Sequence, residues 1–132
     1  MIVKPDCSSQ GKGIFITHDI DSIPKDEVLV VQQYMQHPHL IEGLKYDMRL
    51  YVLVLSCEPL KIFLYNDGLV RFCTQKYKPI DPNADKSQLN NMFMHLTNYA
   101  INKESESFTA PKNTQDDKGH KRTLKKVMER LK

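Results

Sequence analysis

The sequence has no tryptophan, no internal repeat and no apolar run near the length of a membrane span. Its three cysteines, Cys7, Cys57 and Cys73, are an odd number without metal-ligand spacing. They read as core or loop thiols. With no leader-like opening pattern, they set the expectation of a reducing, cytoplasmic compartment. No Ser/His/Asp arrangement resembles a nucleophilic triad, and no close acidic pair suggests glycoside hydrolysis or a self-contained two-metal site. No Gly-Lys-[Ser/Thr] step opens a helix, so the phosphate loop of P-loop NTPases is excluded.

What remains is an ordinary globular composition, 40% apolar and 27% charged over 132 residues, enough for one domain with a modest core. Met1 sits directly on a strand-like Ile-Val, and the chain stops at Lys132 inside a helix-like pattern. The expectation is an internal piece of a longer protein. The formal charge of +3 is uneven: from Lys118 to Lys132 there are seven Lys/Arg against Glu129 alone. A basic end on a near-neutral body suits an anionic partner, or else a solvated helix face.

Met1–Lys4 and Ile14–Thr17 read as strands, and Val28–Tyr34 as a buried one. Arg49–Ser56, Lys61–Tyr65 and Leu69–Cys73 read as an antiparallel meander. Its two turns are expected at Glu58-Pro59 and Asn66-Asp67-Gly68, because Asp-Gly is standard hairpin chemistry. Ile80–Ser87 reads as a loop, Leu89–Leu96 as a helical turn, and residues 103–119 as a mobile loop. Leu124, Val127, Met128 and Leu131 fall on one face of a helix predicted over Thr123–Lys132. The fold class is α+β, with an antiparallel sheet and helices.

The most informative run is Ile2-Val3-Lys4-Pro5, then Ser8-Ser9-Gln10-Gly11-Lys12-Gly13. A strand delivers a lysine, and a glycine-flanked turn follows that could close over a polyphosphate. An ordinary exposed hairpin is the other reading. Gln32-Gln33-Tyr34-Met35 supplies the amide and apolar groups an adenine slot uses, or simply caps a strand. Alternation places Lys45, Asp47 and Arg49 on one strand face. That face either lines a polar cleft, with Asp47 on ribose and Lys45 and Arg49 on phosphate, or is an ion-paired solvent face. Arg71 is a candidate carboxylate partner or an exposed edge charge. Asn98, in His95-Leu96-Thr97-Asn98-Tyr99, suits nucleotide phosphate oxygens or forms a turn. His37 and His39 have no ligand cluster beside them.

Taken together, these runs resemble the tubulin tyrosine ligase-like family, and most closely its glutamate-adding branch. I-V-K-P-D, Q-G-K-G-I-F, Q-Q-Y, L-I-E-G-L-K-Y-D-M-R-L-Y-V-L, I-F-L-Y-N-D-G-L-V-R-F and M-H-L-T-N-Y-A-I-N-K occur in the family's order. The resemblance implies that residues 1–132 are part of an ATP-grasp catalytic domain. It also implies a function: an ATP-dependent protein–glutamate ligase acting on acidic tubulin tails of the microtubule cytoskeleton, with cilium or basal body as possible sites. Lys4, Gln10, Gly11, Gln32, Gln33, Tyr34, Met35, Lys45, Asp47, Thr97 and Asn98 would hold ATP. Arg71, Tyr99 and Lys121 would hold free glutamate. The family's Mg2+ ligands would lie downstream of Lys132, so this segment alone is expected not to ligate. Neither nucleic acid nor membrane is an expected partner. A non-catalytic microtubule-binding or nucleotide-sensing module is the alternative.

Overall fold

Two three-stranded antiparallel sheets, with short helices beside the second, make up the computed structural model, which describes residues 1–81 and 89–131. The first sheet has the order β2-β1-β3, from β1 (Ile2–Pro5), β2 (Phe15–Ile16) and β3 (Leu29–Gln32). Val3 is fully buried, and Ile2 and Ile16 pair across the sheet into one core. The loop expected at Ile80–Ser87 lies, except for Ile80 and Asp81, outside the described residues.

The second sheet is built on a long hairpin, β4 (Leu44–Cys57) and β5 (Leu60–Lys76), with β6 (Lys121–Thr123) added to β5. Among the described residues, short helices α1 (Met92–His95) and α2 (Tyr99–Asn102) lie between β5 and β6, and α3 (Leu124–Leu131) follows β6. The core splits accordingly. Ile2, Ile16, Tyr34, Tyr77, Ile80, Leu89 and Leu96 form one cluster, and Ile41, Leu44, Val70, Phe72 and Val127 form the other.

Two expectations are corrected here. The turn at Glu58-Pro59 forms, but Asn66-Asp67-Gly68 makes no turn, and the strand runs through it. The third meander strand is therefore the second half of β5. Instead of a turn there is a bulge, since Leu50 pairs with Gly68 and Val52 with Leu64. Glycine is needed at 68 because a Cβ there would stand 2.5 Å from the Arg49 carbonyl oxygen. Asp67 turns its carboxylate to the first turn of α3, accepting from the Lys125 N–H at 3.1 Å. The turn chemistry thus serves a close strand approach and a helix cap.

The second correction concerns Val28–Tyr34. β3 pairs with β1 alone, and Val28, Val30 and Val31 are 75%, 45% and 45% exposed, so the β-branched run is not a buried strand. The apolar hairpin tip is similarly open: Tyr51–Leu55 and, on β5, Leu60, Ile62, Phe63, Leu64 and Tyr65 are each at least half exposed.

Candidate active site

The site lies where the end of β3, the start of β4, the middle of β5 and the α1–α2 segment meet. Lys45 opens β4 and is half-buried. Its Nζ donates to the Tyr34 hydroxyl at 3.1 Å and sits 4.6 Å above that ring's centroid. Tyr34 in turn bonds His95 Nδ1 at 2.9 Å. The ammonium can only donate, so the Tyr34 oxygen accepts from Lys45, and the direction of its bond to His95 follows the imidazole tautomer. Burial, then the neighbouring Tyr77 phenol, pushes the Tyr34 hydroxyl far above its ordinary value. It remains a phenol.

Burial also pushes Lys45 below the ordinary lysine value, and the nearby Lys4 ammonium pushes the same way. The two lysines are therefore electrostatic neighbours, delivered by different sheets. Lys4 Nζ donates to Gln32 Oε1 at 2.6 Å, which ties β1 to the end of β3. Gln33, Tyr34, Met35, Gln36 and His37 line an open cleft of about 740 Å3 with Pro79 and Ile80. Cys73, behind Lys45, has its thiol pushed up to about 12 by burial.

Asp47 and Arg71 form a bidentate ion pair: Nε donates to Oδ1 at 2.8 Å and Nη2 to Oδ2 at 2.9 Å. The register causes it, since Asp47 faces Arg71 on β5, and Arg71 faces Lys121 on β6. Arg49 reaches the same carboxylate, with Nε 3.2 Å from Oδ2. Lys121 lies over the Tyr99 ring at 5.9 Å. Arg71, Tyr99 and Lys121 are thus brought together, around one carboxylate and three cations.

The glycine-rich turn packs on α2. A Cβ at Gly11 would meet Ile101 Cδ1 at 2.5 Å and Asn98 Cγ at 3.2 Å. Gln10 and Gly11 both have left-handed backbone, with φ of 63° and 86°. Gln10, Gly11 and Lys12 line a smaller cavity of about 250 Å3 with Ala100, Ile101, Lys103 and Glu104.

Thr97 and Asn98 immediately precede α2, where the Asn98 carbonyl accepts from the Ile101 and Asn102 N–H groups. Asn102 holds this segment to β5. Its Oδ1 accepts from the Thr74 N–H and hydroxyl, and its Nδ2 donates to the Leu96 and Asn98 carbonyls. That amide is buried and uses all four of its hydrogen-bonding positions.

A sequence model of the tubulin-tyrosine ligase family matches residues 1–132. The chain belongs to that family. It is 47% identical over 131 residues to a probable beta-tubulin polyglutamylase of Tetrahymena thermophila, covering 98% of this chain and 11% of that protein. It is 50% identical over 124 residues to tubulin polyglutamylase TTLL7 of Mus musculus, covering 94% and 13%. Against tubulin polyglutamylase ttll6 of Danio rerio it is 47% identical over 131 residues, covering 97% and 16%. The chain spans between a tenth and a sixth of the length of these curated relatives.

In this member of the tubulin-tyrosine ligase family, several residues that build the site carried no assigned role in the sequence reading. His95 bonds Tyr34, the Tyr77 ring centroid lies 6.0 Å from Lys45 Nζ, and Asn102 ties the Asn98 carbonyl to Thr74 on β5. Their only sequence signal is a polar or aromatic residue inside an otherwise apolar stretch. Arg122 is another: it is buried in a pair with Glu42 and stacked on Phe72, within a stretch read as basic surface. Among the described residues no three His, Cys, Asp or Glu side chains are grouped to hold a metal ion. No helix among them is long and apolar enough to cross a membrane.

Proposed function

We propose that the protein carrying this segment is an ATP-dependent protein–glutamate ligase, with an ATP-grasp catalytic core, acting on acidic tubulin tails. One observation carries the reading. Lys45 stands against Tyr34 with the Lys4 ammonium of the other sheet near enough to repel it, while strand register sets Arg71 beside Lys121, which lies over the Tyr99 ring. Two neighbouring ammonium groups repel each other unless an anion joins them, and a polyphosphate is such an anion.

On this reading Lys4 and Lys45 hold ATP phosphates, with Gln10 and Gly11 in the turn closing over them. Gln32, Gln33, Tyr34 and Met35 surround adenine, Asp47 holds ribose, and Thr97 and Asn98 complete the nucleotide site. A substrate carboxylate attacks the γ-phosphorus, giving an acyl phosphate and ADP. The glutamate amine then attacks the acyl carbon, phosphate leaves, and an amide forms. Fixed cations stabilise charge developing on the transferring phosphoryl group. Arg71, Tyr99 and Lys121 hold the free glutamate, whose extra carboxylate suits two cations. Among the described residues no three His, Cys, Asp or Glu side chains are grouped to hold Mg2+, whose ligands would come from elsewhere in the full-length protein. A tubulin substrate places the protein on the cytoskeleton.

The module alternative loses ground in the basic segment. Arg122 and Arg130 both pair with Glu42, and Lys126 with Glu129, so three of its seven cations are committed within the fold. The test is a double-mutant cycle in the full-length protein. Lys4→Ala and Lys45→Ala should each weaken ATP binding by about 2 kcal/mol, the scale of a charge-assisted hydrogen bond. The double mutant should be non-additive, because both lysines contact one ligand. Parent-like ATP affinity by calorimetry in both single mutants would defeat the phosphate reading. Glutamate-sized additions to tubulin, followed by mass, report the ligation itself.

A further inference from the structure

We propose that Asp47 is a positioning residue for the amino-acid substrate as well as a nucleotide contact, acting through Arg71. The inference rests on the ligase reading above, and specifically on Arg71 gripping a carboxylate of the free amino acid.

A guanidinium carries five N–H donors, arranged so that a carboxylate can be held along either of two edges. Asp47 occupies one edge, through Nε and Nη2. Three N–H groups remain, two on Nη1 and one on Nη2, and one from each nitrogen forms the second fork. Because both Asp47 oxygens are engaged in the plane of the guanidinium, the pair fixes where that fork points. Without Asp47, Arg71 would be a charged group on a chain of freely rotating bonds. With it, the arginine presents a preset bidentate site for a second carboxylate.

The surroundings favour that second carboxylate. The pair is partly sheltered, with side-chain exposures of 19% for Arg71 and 29% for Asp47. Lys121 is the register neighbour of Arg71 on the side away from Asp47, so cation and fork are adjacent on β5 and β6. Arg49 lies against the outer oxygen of Asp47, so the carboxylate's charge is offset by two guanidiniums and the row stays attractive to an anion. The ligand class that fits is an α-amino dicarboxylate. One carboxylate takes the Arg71 fork, and the other meets Lys121.

The test uses the full-length protein, with tubulin and saturating ATP, while glutamate is varied. Asp47→Asn keeps the shape but loosens the grip on the guanidinium. It should raise the glutamate KM by roughly 10- to 100-fold, with kcat much less affected. Asp47→Glu keeps the charge one methylene further out and should fall between Asn and the parent. Combining Asp47→Asn with Arg71→Ala should raise the glutamate KM no further than Arg71→Ala alone, since on glutamate the first acts through the second. ATP affinity is measured separately by calorimetry. If Arg71→Ala raises the glutamate KM while Asp47→Asn and Asp47→Glu change only ATP affinity, the positioning role is wrong and the ligase reading survives. If the Asp47 variants lower kcat with KM unmoved, Asp47 merely holds the fold, and the inference is equally overturned. If Arg71→Ala itself leaves the glutamate KM unchanged, the assignment of Arg71 beneath the inference fails.

Discussion

Lys45 and Tyr34 lie across the junction of the two sheets, the ammonium 3.1 Å from the phenol oxygen and 4.6 Å above the ring. An ammonium held over an aromatic face and half-buried is short of counter-charge. Its proton is therefore easier to lose than that of a surface lysine.

A pH dependence follows. Burial lowers the Lys45 value below 10.5, and binding a phosphate anion raises it again. ATP affinity of the full-length protein should fall as pH rises through the lowered value, and binding there should take up protons. Calorimetry in buffers of different ionisation enthalpy measures that uptake. Lys45→Arg, which does not deprotonate, should remove the alkaline decline. For folding the sign is the reverse. The unfolded chain holds the Lys45 proton more tightly, so stability rises with pH between the folded and unfolded values.

The Glu42–Arg122 pair should govern stability. Arg122 Nη1 is 2.6 Å from Glu42 Oε1, Nε donates to the Gly119 carbonyl, and the guanidinium lies 4.4 Å over Phe72. Arg122→Ala should destabilise by about 3 kcal/mol, the low end for breaking a buried pair because Glu42 keeps part of its surface. Hydrogen bonding to Arg122 holds Glu42 below the usual carboxylate value of 4.5. Its stabilisation is therefore present above that value and lost as pH falls through the folded one. Thermal melts against pH should show a shallower acid limb in Glu42→Gln.

Gly11 tests how the glycine-rich turn docks. Gly11→Ala adds a Cβ 2.5 Å from Ile101 Cδ1 and puts it on a left-handed residue. The conformational penalty is about 1–2 kcal/mol, and the clash adds to it. Pairing it with Ile101→Ala should remove the clash and leave the backbone penalty. Melting temperatures of the two single mutants and the double mutant separate the contributions. An unchanged melt for Gly11→Ala would show that the turn does not sit on α2.

Thiol reactivity should separate Cys73 from Cys7. Cys73 is fully buried with its thiol pushed up to about 12, while Cys7 is exposed on the turn after β1. Brief alkylation at neutral pH, followed by peptide mass mapping, should label Cys7 and spare Cys73. Equal labelling would contradict the burial behind Lys45.

Most strands were legible because their apolar periodicity is local. Ile2–Pro5, Phe15–Ile16 and the Glu58-Pro59 hairpin needed only short-range patterning and one turn. The amphipathic helix ending at Leu131 was equally plain, since its apolar face repeats at helical spacing. Asn66-Asp67-Gly68 was misread because its residues answer to distant partners, the Arg49 carbonyl and the first turn of α3. The burial of Val28–Val31 was overestimated because β-branched composition reports strand propensity, not what lies against the strand.

The site divides in the same way. Sequence alone determined which residue types stand at each position: Lys4 at a strand end, Lys45, Asp47 and Arg49 on alternate positions, and Arg71 24 positions after Asp47. Only the tertiary structure decided who touches whom. The β4–β5–β6 register joins Asp47 to Arg71 and sets Lys121 beside them, and the meeting of two sheets leaves Lys4 and Lys45 near enough to repel each other. Periodicity fixes the face a side chain leaves from. Its partner depends on strand register and on contacts between segments far apart in the chain, 61 positions for Tyr34 and His95, which no local pattern encodes.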